Sequence, residues 1–375
     1  MTDKEIPFLD LRQQYLELEK ELCAAVLHTL ESGWYVLGAA VSDFEERFSR
    51  YLAGACGGYT VGVNSGTDAL KLSLLAAGVL PGDEVVTVAN TAIPTCAAIC
   101  SIGAVPVFCD VDPASWLLDP RELEACITPR TKAVLPVHLY GSVCAMDEIL
   151  ALAARHGAAV VEDVAQAAGA RWRGAQCGTL GDYGAFSFYP SKNLGACGDA
   201  GAIFIRSELQ RDRLCRLRNY GQSGRYLADE ERGENSRLDE LQAAVLSVKL
   251  GHLERWNEAR RSLAASYRRE IAGRGLPVGV QLDLPGTTPA NHLLVVTVPA
   301  ERRARIMEQM AADGVQTLVH YPHALYRQPA FVKYLRKPNP VAEELCATVL
   351  SLPFHQYLSP EQVTRVVDAL ERSLS

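Results

Sequence analysis

Seven short apolar runs, at residues 60–63, 85–88, 105–109, 133–137, 159–161, 185–188 and 202–205, set the strongest constraint on how this chain folds. Each has the length and composition of a buried strand. Helical stretches at 94–102, 121–126 and 145–156 lie between them, and this alternation specifies a mostly parallel sheet covered on both faces. Residues 180–182 and the gap before Ala202 leave no room for crossover helices, so the late strands are expected to pair antiparallel. The predicted class is α/β, with a three-layer large domain around a mostly parallel, mixed seven-stranded sheet and a smaller C-terminal α+β domain.

Flanking patterns extend this plan. Residues 9–30 place Leu11, Tyr15, Leu18, Leu22 and Val26 at helical spacing, and Ser32-Gly33 stops the helix. Trp34-Tyr35 follow in a turn, where they either pack locally or meet a ligand or second subunit. A long helical pattern over about 236–272 is interrupted only at Gly251 and bridges the two expected domains, 1–250 and 251–375. The second holds a β-like run at 292–298, a helix at 301–312, a loop at 319–327 and closing helices near 342–350 and 360–374. At 375 residues the chain is long enough for two cores.

Composition removes several classes. With 48% hydrophobic and 22% charged residues the chain is ordinary globular protein, not a disordered or fibrous one. No apolar run reaches membrane-spanning length, and the first ten residues lack the basic start and apolar middle of a signal peptide, so a soluble cytoplasmic protein is expected. A net charge of −7 argues against wrapping nucleic acid. Eight arginines between Arg206 and Arg237 form either a solvated helix face or a local site for a small anion. The 11 cysteines include no CxxC pair and read as reduced, mostly buried small residues. Cys96 and Cys100 share a helix face but have no histidine at ligand spacing, so no zinc or other metal site is expected.

Three segments carry chemistry. The strand at 60–63 runs into Asn64-Ser65-Gly66-Thr67-Asp68 and then a helix, a geometry that serves as a simple N-cap or presents free N–H groups to a phosphate. Val160-Val161-Glu162-Asp163 is a strand ending in acids, so Asp163 belongs at the carboxyl edge of the sheet. Lys192 follows the strand at 185–188 in a turn at that same edge, where α/β sheets bind ligands. A lone loop lysine is usually solvated, and an Asp–Lys pair alone is explained by a structural ion pair. Neither explains the phosphate-type turn beside them. A lysine for a Schiff base, a carboxylate for a pyridinium nitrogen and a helix-end phosphate nest together describe a pyridoxal phosphate site.

These segments occur in order with others: PFLDL at Pro7, SGWYVLG at Ser32, NSGTDAL at Asn64, PGDEV at Pro81, TKAVLPVHLYG at Thr131, VEDVAQAAGA at Val161, FSFYPSKNLGACGD at Phe186, NSRLDELQAAVL at Asn235, HYP at His320 and LSLP at Leu350. In this arrangement the chain resembles the pyridoxal phosphate-dependent nucleotide-sugar aminotransferases of the DegT/StrS type, which share the fold of the aspartate aminotransferases (fold type I). The resemblance covers nearly the whole chain.

The resemblance implies that Lys192 is the Schiff-base lysine and proton shuttle, and that Asp163 keeps the pyridine nitrogen protonated. It gives Gln166 a hydrogen bond to the cofactor's O3′, and phosphate contacts to Ser187, Thr67 and the backbone at Gly66. Asn235 would reach across a homodimer interface to the partner's phosphate, so that active sites are shared, and Arg237, His320 and Tyr321 would line the sugar-nucleotide cleft. For His320 a purely structural place in the core or at the surface stays open. Relatives that deoxygenate sugars usually carry histidine in place of the lysine, so Lys192 implies a transaminase with glutamate as amino donor. The 186–199 stretch is most similar to members acting on 3-keto sugars in amino-sugar biosynthesis. A 4-keto sugar or cyclitol ketone is the alternative, and a non-catalytic regulatory protein a more distant one. Three positions depart from the family pattern: Ala92 where an aromatic usually stacks on the ring, Ala200 for glycine and Tyr326 for histidine.

Overall fold

The computed structural model describes residues 5–375; positions 1–4, part of the stretch read for a signal peptide, lie outside the described residues. The seven expected strands all form and share one sheet. They begin with β1 (Tyr59–Val63), β2 (Glu84–Val88), β3 (Val105–Cys109), β4 (Thr131–Val134) and β5 (Ala159–Asp163). A small hairpin, β6 (Arg171–Trp172) and β7 (Ala175–Gln176), precedes β8 (Tyr183–Ser187) and β9 (Gly201–Ile205). Strand order across the sheet is β1-β9-β8-β5-β4-β2-β3. β9 is antiparallel to both β1 and β8, as the short connection required. β8, however, runs parallel to β5.

That parallel step corrects the expectation of an antiparallel β8, and Glu162 supplies the reason. Its buried carboxylate accepts the N–H groups of Gly178, Leu180 and Gly181 at 2.7–2.8 Å, so residues 164–182 lead back to the start of β8 without a crossover helix. Val137, expected in β4, lies past its end in an isolated bridge with Asp163.

Helices α1 (Leu11–Ser32), α2 (Ala39–Ala53), α3 (Gly66–Ala76), α4 (Ile93–Ser101), α5 (Pro120–Cys126), α6 (Met146–His156) and α7 (Glu208–Leu217) surround the sheet. Leu18 and Leu22 of α1 are buried beside Val245 and Trp256, while Leu11 and Tyr15 stay exposed. α2 had no clear start signal because its N-cap is Gly38. The side chain of Glu240, some 200 residues away, instead accepts the N–H groups of Gly38, Ala40 and Val41. The arginines of 206–237 are mostly spent internally, as with Arg213 on Glu230 and Arg218 on Glu45.

The helical pattern over 236–272 proves to be two helices, α8 (Glu240–Leu250) and α9 (Leu253–Gly273). At Gly251 and His252 the ladder tightens to three-residue steps, onto Val248 and Lys249, and this breaks the helix. Two ribbon strands, β10 (Gln222–Gly224) and β11 (Leu227–Ala228), precede α8. Beyond α9 lie β12 (Gly279–Val280), β13 (Thr287–Thr288), β14 (Leu294–Thr297), α10 (Arg303–Ala312), α11 (Pro340–Thr348), β15 (Val349–Leu352) and α12 (Pro360–Leu374). β12, β14 and β15 form a second sheet. The closing helix expected over 342–350 therefore stops at Thr348, because residues 349–352 are buried by pairing with β14. A second hydrophobic core gathers Ile6, Tyr267, Val296, Ile306, Leu350 and Val366, and is distinct from the one around the large sheet.

Candidate active site

The carboxyl ends of β5 and β8, with the entry to α3, surround a cleft of about 330 Å³. β1 ends at Val63, and Ser65 caps α3 by accepting the Asp68 N–H at 3.1 Å. Ser65 is the cap of the first sequence reading, and the Gly66 and Thr67 N–H groups that the second reading gave to a phosphate are without a protein partner among the described residues. Gly66 is required here, since a Cβ on it would lie 2.5 Å from Ser187 Cβ and 3.0 Å from its Oγ. The result is a narrow cradle for an anion, made of a helix end and one hydroxyl.

Asp163, at the end of β5, is buried. Its Oδ1 accepts the Ala165 N–H at 3.0 Å and its Oδ2 the Thr95 hydroxyl at 3.3 Å. Burial raises its pKa, and Ala165, Lys192, His138 and Thr95 partly offset this. Lys192 sits in the turn after β8, with its N–H on the Tyr189 carbonyl. Its amine makes no hydrogen bond among the described residues. Burial lowers its pKa from 10.5 to about 8, against the opposing pull of Asp163. A large fraction of this amine is therefore neutral near pH 8, as a nucleophile and proton carrier requires.

Gln166, Ser187, Thr67, Gly66 and Tyr321 line the same cleft as Asp163 and Lys192. His320 is set behind Tyr321, its Nδ1 2.8 Å from Ser351 Oγ, and burial with the nearby Lys192 charge pushes its pKa down to about 4. Arg237 and Asn235 are not brought into this chain's cleft. Arg237 bonds Asn219 Oδ1 at 3.1 Å and lies over Tyr220, while Asn235 is exposed on a bridge with Asn219.

Ala92 and Ala200 line the cleft, so no aromatic stands at position 92. Tyr326, the residue that stands where relatives carry histidine, does not line the cleft. It is fully buried against Phe108, with its hydroxyl on Glu343 and Asn339, because one 3-10 turn at 325–327 folds it into the core. Sequence reasoning missed Thr95, Tyr189 and Asp199, which line the cleft, and Tyr140, which holds Gln166. The helical phase of residues 91–95 was the available signal for Thr95; Tyr140 lies in the TKAVLPVHLYG segment, but nothing there gave it a role.

Buried His138, Glu162 and Cys177 cluster like metal ligands. The Cys144 N–H occupies His138 Nδ1, so Nε2 carries the proton and donates to Glu162 at 3.1 Å. The lone pairs that a cation would use on that pair are already engaged.

Sheet order, and a lysine sharing one cleft with a carboxylate and a helix-end cradle, give this chain the architecture of the fold type I aminotransferases. The chain belongs to the DegT/DnrJ/EryC1/StrS aminotransferase family, whose model matches residues 16–371. It is 45% identical to the dTDP-3-amino-3,4,6-trideoxy-alpha-D-glucose transaminase of Streptomyces venezuelae, over 97% of this chain and 95% of that one. It is 46% identical to the erythromycin biosynthesis sensory transduction protein EryC1 of Saccharopolyspora erythraea, over 98% and 99%. The crystal structure of S. venezuelae DesV in complex with a ketimine intermediate superposes with a TM-score of 0.94 at 43% identity, covering 99% of each chain. Among the described residues no helix is long and apolar enough to cross a membrane.

Proposed function

We propose that this aminotransferase uses pyridoxal phosphate to move an amino group from glutamate to the C3 keto group of a nucleotide-linked deoxyhexose, in cytoplasmic amino-sugar biosynthesis. The observation that carries the reading is the partnerless Lys192 amine, held in one cleft with buried Asp163 and the open N–H groups of α3. The donor set fits the cofactor: an amine for its aldehyde, a carboxylate for its ring nitrogen and an anion cradle for its phosphate. When bound, pyridoxal phosphate supplies a conjugated ring that accepts the electron pair released as a C–H bond breaks, and carries nitrogen between two substrates.

The chain's own residues do the rest. The Gly66 and Thr67 N–H groups and the Ser187 hydroxyl would hold the phosphate. Asp163, fixed by Ala165 and Thr95, would keep a proton on the ring nitrogen. Gln166 offers its NH₂ to the ring oxygen, since its carbonyl is taken by the Tyr140 N–H. Lys192 Nζ would hold the cofactor and, once displaced from it by the substrate amine, would take the proton from the substrate carbon of glutamate and return one to the sugar carbon. Tyr321, with His320 behind it, faces the sugar. We assign Asn235 and Arg237 to the partner's cleft in a homodimer, a reading supported by their place outside their own cleft, where Asn235 is exposed and Arg237 half-buried.

The C3 assignment leans on the named substrate of the S. venezuelae relative, with a 4-keto sugar or cyclitol ketone second. A regulatory role is favoured only by the printed names of some relatives, EryC1 among them, whereas a lysine, a buried carboxylate and an anion cradle in one cleft favour transamination. Purified, cofactor-loaded protein should lose its visible absorbance band on adding glutamate and regain it with a 3-keto nucleotide sugar. Recovery with 4-keto sugars alone would move the site of amination, and no response to any amino donor would sink the transaminase reading.

A further inference from the structure

Tyr140 holds both ends of the pair formed by Gln166 and Tyr321. Its N–H donates to Gln166 Oε1 at 2.6 Å, and its phenol donates to the carbonyl of His320, the residue joined to Tyr321. Gln166 Nε2 closes the circuit by donating to the Tyr321 hydroxyl at 3.0 Å. A backbone N–H can only donate, so the Gln166 oxygen must face Tyr140 and its NH₂ must face Tyr321. The Tyr321 oxygen thus receives a hydrogen bond, and its own proton is left to point elsewhere. Among the described residues that proton has no acceptor, and the ring lines the cleft. Burial, the Asp163 charge and Gln166 leave the phenol pKa at about 12, so it stays an O–H donor at neutral pH.

Tyr140 is itself a fixed post. It is buried, with its ring edge-on to Trp116, and its carbonyl accepts the N–H groups of His292 and Leu293. Its φ of 61° is a left-handed conformation that costs a non-glycine residue energy. Glycine would relieve that cost and lose the phenol.

Resting on the transaminase reading of the cleft, we propose that Tyr140 is a positioning residue which locks Gln166 and the 320–321 segment into one unit. In that unit Tyr321 presents its O–H to an oxygen acceptor on the bound sugar, a carbonyl or hydroxyl. Gln166 meets the cofactor and Tyr321 the substrate, so one buried phenol registers the two against each other.

Tyr140→Phe removes only the hydroxyl and keeps the ring and the N–H. The test is a cycle of Tyr140→Phe, Tyr321→Phe and the double variant, reading kcat/KM for a keto nucleotide sugar and Tm for each protein. Tyr140→Phe is expected to lower kcat/KM about tenfold, and to add less than about twofold once Tyr321 is already phenylalanine. Equal losses in both backgrounds overturn the proposal. So does a Tyr140→Phe protein with wild-type kcat/KM and a lowered Tm, because the hydroxyl would then only brace the fold. If Tyr140→Phe does not fold, the cycle of Gln166→Ala with Tyr321→Phe reads the same circuit and must be non-additive. If the wild-type protein transaminates nothing, the function fails separately, and calorimetric titration of the same variants with a dTDP-linked hexose decides the coupling.

Discussion

The Ser236 hydroxyl donates to the Asp68 carboxylate at 2.8 Å and accepts the Asn64 N–H at 3.2 Å. A fully buried serine thereby ties the loop of Asn235 and Arg237 to the residues that flank the Gly66–Thr67 cradle. Ser236→Ala removes both bonds at once. Affinity for pyridoxal phosphate should fall about three- to tenfold, with a Tm lower by about 2–4 °C. Equilibrium dialysis and thermal melts measure the two, and unchanged affinity would mean the cradle is set without this tie.

Lys192→Ala should abolish turnover without unfolding the protein, because anchoring and proton transfer both need a primary amine. A pH signature accompanies it. The folded pKa of about 8 lies below the unfolded 10.5, so between those values the unfolded chain binds a proton that the folded chain does not. Stability of the cofactor-free protein therefore rises with pH across that window. Lys192→Met removes the cost of the buried ammonium. Its Tm should exceed wild type by a few degrees below about pH 8, and the gain should vanish by about pH 10.5. A gain independent of pH would assign the effect to packing.

Asp163→Asn keeps the volume and removes the charge that would face the ring nitrogen. The amide still accepts from Ala165 or Thr95, so cofactor binding should weaken only modestly while the glutamate half-reaction slows by about 10²-fold or more. Stopped-flow absorbance measures that half-reaction. A wild-type rate would remove Asp163 from the ring nitrogen.

Neither Asn235 nor Arg237 enters its own cleft, and a two-fold dimer would deliver both to the partner. Lys192→Ala and Asn235→Ala, each inactive alone, should then complement on unfolding and mixing. Half the dimers are hybrids with one intact site, so recovery should approach about a quarter of wild-type activity. No recovery, with hybrids confirmed by mass spectrometry, would return Asn235 to its own subunit or exclude it.

The strand pattern and the edge-of-sheet segments were legible because they are local. Period and length mark a buried strand, and a ligand site at the carboxyl edge follows from chain direction alone. Lys192, Asp163 and the turn at Ser65–Thr67 could therefore be placed at one sheet edge from the sequence, while Gln166 and Ser187 entered only through the family resemblance. What only the tertiary structure decided depends on partners far apart in sequence. The parallel course of β8 hangs on the Glu162 carboxylate, and the start of α2 on Glu240. Tyr326 was drawn into the core by Phe108 and Glu343, whereas Tyr140, buried behind the cleft, is tied to Gln166 and His320, 26 and 180 positions away. Periodicity reports how a residue faces its neighbours along the chain. It carries no record of which distant carbonyl or carboxylate will satisfy a buried hydrogen-bonding group, and that pairing is settled only when the elements pack.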